Sequence, residues 1–82
     1  MTYQEILNVL PESIKERYLV SHHEELNNLM ITAETIGYRC TNSFPIDDIH
    51  TIDVSEAAVT IRGTKGCLTL FFDITIVQAQ TF

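Results

Sequence analysis

Eighty-two residues are enough for one small domain spanning 1–82, and a 45% hydrophobic fraction excludes intrinsic disorder as the default state. Eleven acidic against five basic residues give a net charge of −6, the wrong sign for a chain that must displace counterions from a nucleic-acid backbone. No apolar run approaches the roughly 20 residues that span a bilayer. The opening MTYQEILNVL lacks the basic start of a signal peptide, so a cytoplasmic protein is expected.

In chain order, Thr2 and Glu5 match a capping box, and Tyr3, Ile6, Leu7 and Leu10 follow one face of a short helix. Pro11 ends that helix and suits the first turn of the next. No Gly or Pro then interrupts until Gly37. At about 100° of rotation per residue, Tyr18, Leu19, Leu26, Leu29, Ala33 and Ile36 fall on one stripe. This predicts one long amphipathic helix over 11–36, stopped by Gly37. A break near Ser21 is the alternative, since Ser21 and Glu24 repeat the Ser-x-x-Glu capping pattern.

Tyr38 to Pro45 reads as a link with room for a short edge strand. Beyond it the period becomes two. Ile52 and Val54, then Val59 and Ile61, then Leu68, Leu70, Phe72, Ile74 and Ile76 alternate with their neighbours, as half-buried strands do. Gly63-Thr64-Lys65-Gly66 separates the last two runs as a hairpin loop. The expected fold is therefore α+β: a short N-terminal helix and one long amphipathic helix packed on a three-stranded antiparallel β-meander. Residues 1–37 form the helical half and 46–78 the meander. Tyr18, Leu26, Leu29, Ala33 and Ile36 should face Val59, Ile61, Leu70, Phe72 and Ile74.

Two places stand out as candidate sites. The outer face of the last predicted strand carries Phe71, Asp73, Thr75 and Val77, and a Phe on a face that should be wet points to a partner-binding surface. The run LFFDITIV also combines high β-propensity with little charge, so pairing its edge with another copy or another protein would remove an aggregation hazard.

The second place is SHHEEL, Ser21 to Leu26. On a long helix His22 lands inside the apolar stripe while His23 turns about 100° away, so the two imidazoles cannot easily share a metal. His23 to Asn27 reads HEELN, the zinc motif HExxH with Asn in place of the second ligand. His22 reads first as a hydrogen-bonded core histidine. Its functional version is a pH-sensitive helix or subunit contact. Asp47-Asp48 reads as a solvated turn, Cys40 and Cys67 as two lone thiols, and no catalytic set, metal or cofactor is expected.

These readings favour a small acidic non-enzymatic protein that acts by binding another protein with a basic surface. Inhibitors of the phage anti-defence, antitoxin and immunity types share that character. A homodimeric structural module, or a small assembly subunit joined through a sheet edge, is the alternative. A metal-binding protein or enzyme using His22, His23 and His50 is the third reading. Neither nucleic acid nor membrane is an expected partner.

Overall fold

A computed structural model describes residues Met1–Phe82 as two short helices and seven antiparallel strands. Helices α1 (Tyr3–Val9) and α2 (Glu12–Arg17) precede β1 (Leu19–His23), β2 (Asn28–Thr35) and β3 (Tyr38–Pro45), which form one sheet in that order. A 3-10 turn at Ile46–Asp48 leads into the second sheet, made of β4 (Ile49–Val54), β5 (Ala58–Gly63), β6 (Gly66–Phe71) and β7 (Val77–Thr81), again in chain order. The molecule is two meanders packed on each other, with β7 lying against β2 and β3.

The α+β expectation is thereby corrected. The predicted long helix over 11–36 is the six-residue α2 followed by the β1–β2 hairpin, with Ile36 already in the loop before β3. The residues explain why. Leu29, Ile31 and Ala33 are all buried at intervals of two, while the intervening side chains pair along the sheet, as Thr32 does with Thr41 at 2.8 Å between hydroxyls. The β-branched Val20, Ile31, Thr32 and Thr35 favour the pleated conformation. Leu26 and Ile36, which the helical stripe placed in the core, sit in hairpin loops and are 68% and 103% exposed. Gly37 is no helix stop. It is the second loop residue between β2 and β3, at φ +77°, where a side chain would be strained.

The C-terminal strands differ in number. The hairpin at Gly63–Gly66 is present, with Arg62 opposite Cys67 and Thr64-Lys65 as its loop. The long final strand, however, stops at Phe71, and the chain returns as β7 beside β6. A four-stranded sheet replaces the three-stranded one, and Ile74, expected in the core, is 46% exposed in the connection. A Cβ on Gly66 would collide with the Gln80 carbonyl oxygen, so β7 can settle beside β6 only because that position is glycine.

The physical cause of the break is Tyr18. Its side chain is fully buried, and its hydroxyl accepts the Phe71 N–H at 3.0 Å. The same oxygen lies 2.9 Å from the carbonyls of Phe71 and Ile74 and 3.1 Å from that of Ile76. One phenolic proton serves these carbonyls in turn. Residues 72–76 thus wrap around a side chain contributed from the N-terminal part of the chain. Ile6, Leu10, Ile14 and Tyr18, spaced by four, carry the helical layer into a core cluster shared with both sheets. Leu29, Ile31 and Ala33 meet it from one sheet and Val59, Ile61, Leu68, Leu70 and Val77 from the other. No helix is long and apolar enough to cross a membrane.

Candidate functional site

SHHEEL is the end of β1 and the first three of the four residues of the β1–β2 loop, Glu24 to Asn27. On a strand, successive side chains point to opposite faces. His22 is half-buried and stacks on Tyr3 of α1, ring centroids 4.9 Å apart and 16° from parallel. His23 faces solvent. The divergence of the two imidazoles holds, through an alternation of faces and not through a helical turn.

The loop is held by its own polar groups. His22 Nε2 donates to Asn27 Oδ1 at 2.9 Å, since an amide oxygen can only accept. The Asn27 amide nitrogen donates to Asp47 Oδ1 at 3.3 Å, and its carbonyl accepts the Ile46 N–H at 3.0 Å. Asn27 itself adopts φ +53°, a left-handed conformation that asparagine tolerates better than most residues. Leu26 donates its N–H to His23 Nδ1 at 3.4 Å, and Asn27 donates its own to the Glu24 carbonyl at 3.3 Å. Asn27, which failed as a zinc ligand, is therefore the residue that builds the turn.

This construction raises Leu26 on the crest of the loop, with Glu24 and Glu25 beside it and Asp47 tied in through Asn27. None of these three carboxylates pairs with a lysine or arginine. Three of the five cations are engaged elsewhere: Lys15 with Glu12 at 3.3 Å, Arg39 with Glu34 at 3.7 Å and Arg62 with Asp53 at 2.8 Å. Arg17 donates to the Thr75 hydroxyl at 3.0 Å. The tip is an anionic, pre-shaped prong with an apolar point.

The other sequence candidates lie apart. His50 is on β4, in the second sheet, bonded to the Thr64 hydroxyl, and is not brought to His22 and His23. No three His, Cys, Asp or Glu side chains converge with metal-ligand geometry. Phe71 is half-buried at the end of β6, Asp73 and Thr75 lie in the following connection, and Val77 is buried at the start of β7. The four do not share one face. Cys67 is buried, Cys40 half-buried, and the two are not bonded to each other. A cleft of about 300 Å³ opens between the end of β3 and the β6–β7 pair, with Phe44, Asp48, Lys65 and Leu68 among its walls.

Leu26, Asn27, Tyr3 and Asp47 were missed as members of a site. The available signal was the Asn27-Asn28 dipeptide directly before an alternating run, a turn chemistry without glycine. No protein-family model, curated protein or solved structure matches the chain.

Proposed function

We propose that the chain is a non-enzymatic protein-binding module that docks its β1–β2 tip on a basic surface of another protein, in the manner of an inhibitor or immunity protein that occludes its target. The observation that carries this reading is the crest itself. Leu26 is held out to solvent by a hydrogen-bonded loop and is rimmed by Glu24, Glu25 and Asp47, which have no cationic partner within the chain. An apolar anchor centred in a charged rim is the arrangement that combines affinity with electrostatic steering. Pre-shaping matters as well, because a loop already ordered loses less entropy on binding.

The test is affinity capture with the wild-type chain and with a Glu24→Gln/Glu25→Gln/Leu26→Ala variant, followed by titration of the captured protein. The variant should bind about 100-fold more weakly, and raising salt from about 50 to about 300 mM should weaken the wild-type complex. A captured partner that binds both chains equally, or whose binding ignores salt, would refute the tip as the docking element.

A further inference from the structure

Two open sheets have four edges, and natural proteins guard edges against stray pairing with charge, proline, bulges or cover. Three of the four edges here are guarded. The Tyr3 hydroxyl donates to the Val20 carbonyl of β1 at 3.2 Å. β3 carries Arg39 and ends in Pro45. β4 has Asp53 and a register shift between Ile49 and Thr51. β7, VQAQT, has no charge, no proline and no register shift, and Gln78, Ala79, Gln80 and Thr81 are exposed.

The ladder fixes which groups are free. Phe82 donates its N–H to the Lys65 carbonyl at 2.9 Å, opposite in register, so Gln78 and Gln80 also turn their backbone groups toward β6. Ala79 and Thr81 then aim N–H and C=O away from β6, on the side of β7 where no strand of this chain is hydrogen-bonded to it.

We infer that β7 is the surface through which two copies of this chain associate, its free edge pairing antiparallel with the same edge of the second copy about a two-fold axis at Ala79. The sequence is self-complementary in that register. Gln78 stands opposite Gln80 of the second copy as a non-hydrogen-bonded pair, the closer of the two pair types, where side-chain amides can bond each other. Val77 stands opposite Thr81. Phe82, 71% exposed, comes against Ile76, 44% exposed, once on each side of the axis. An uncharged edge is also where two chains of net charge −6 can meet without setting like charges directly opposite. The isologous contact closes on itself and joins two four-stranded sheets into one continuous sheet. It uses residues separate from the β1–β2 tip and stands or falls independently of that reading.

Sedimentation velocity of the full chain between about 5 and about 500 µM tests it, spanning the range of weak self-association. A dimer should appear with rising concentration, and its population should grow from about 50 to about 500 mM NaCl as screening relieves the repulsion between acidic chains. That salt response is opposite to the one expected of the tip. Ala79→Pro removes an N–H that β6 does not use, and should weaken dimerisation about tenfold or more while leaving the circular dichroism spectrum unchanged. Should that variant misfold, two exposed double variants decide. Gln78→Lys/Gln80→Lys sets like charges across the axis and should leave monomer, whereas Gln78→Glu/Gln80→Lys sets opposite charges there and should keep the dimer. A wild-type chain monomeric throughout, or a dimer on which both double variants act alike, overturns the proposal.

Discussion

The β5–β6 hairpin and the β1–β2 hairpin do the same structural work by different means. The first is signalled within four consecutive residues, Thr64-Lys65 between two glycines, and takes only supporting bonds, from the Lys65 N–H to the Asp48 carboxylate and between His50 and the Thr64 hydroxyl. The second turns on Asn27, whose side chain reaches His22 and Asp47 while its carbonyl takes the Ile46 N–H. The β6–β7 connection goes further still, since its carbonyls gather around a hydroxyl 53 to 58 residues away in sequence. Turns encoded in place are legible in the chain. Turns encoded by a distant side chain are not, and they are the ones whose removal should cost most.

Tyr18→Phe offers the largest break. It keeps the buried ring but orphans the Phe71 N–H and removes the donor shared by three carbonyls. Leaving such groups unsatisfied should cost about 2–3 kcal/mol, or about 10–20 °C in Tm for a chain this size. A melting temperature within a degree or two of wild type would show that residues 72–76 turn on their own. The pH dependence sharpens the point. Burial pushes the Tyr18 phenol above its usual value of 10.0, against the smaller opposing effect of the backbone hydrogen bonds. The folded state therefore holds its proton longer than the unfolded chain. Its contribution is full below pH 10 and declines as pH rises from there through the folded pKa. Urea midpoints of wild type and Tyr18→Phe should converge above pH 10, and curves that stay parallel would contradict the hub.

At the β1–β2 tip, Asn27→Ala should cost about 2 kcal/mol, because alanine is strained at positive φ and the bonds to His22 and Asp47 go with the amide. Asn27→Gly restores the backbone freedom and should recover about half of that loss. Gly37→Ala in the β2–β3 loop gives the matching value for a glycine turn, about 1 kcal/mol, since an added Cβ there meets nothing within 4 Å and only the backbone at φ +77° resists. Chemical denaturation of the three variants separates backbone strain from side-chain bonding. Equal losses for Asn27→Ala and Asn27→Gly would assign the whole effect to the side chain.

The same division explains how far the fold could be read from residues. Val59, Ile61 and Leu70 are buried on strands as their alternation requires, with glycines marking the loop between β5 and β6. Leu29 and Ala33 are buried too, but four residues apart they satisfy a helix as well as a strand, and only Ile31 between them decides for the strand. With no glycine between Pro11 and Gly37 to announce a turn, the helical period absorbed Leu26 and Ile36, and with them the crest of the candidate site. What was legible of that site was its oddity, two histidines before two glutamates. Its geometry depended on Tyr3 and Asp47, which no local pattern connects to it.

The smallest effect belongs to the most local device. Thr2 and Glu5 close a reciprocal capping box, Glu5 N–H to Thr2 Oγ1 at 3.2 Å and Thr2 N–H to Glu5 Oε1 at 3.0 Å. Thr2→Ala should cost about 1 kcal/mol, no more, because the box secures one seven-residue helix at the surface. The hydrogen bonds from the Thr2 backbone and then its hydroxyl hold the Glu5 carboxyl below its usual 4.5. The folded state thus releases this proton more readily than the unfolded chain. The stabilisation is present above pH 4.5 and is lost as pH falls through the folded pKa. Glu5→Gln should therefore differ from wild type at neutral pH and match it in acid, when both are compared by thermal melts. A constant gap between them across that range would mean that the carboxylate form of Glu5 is not what closes the box.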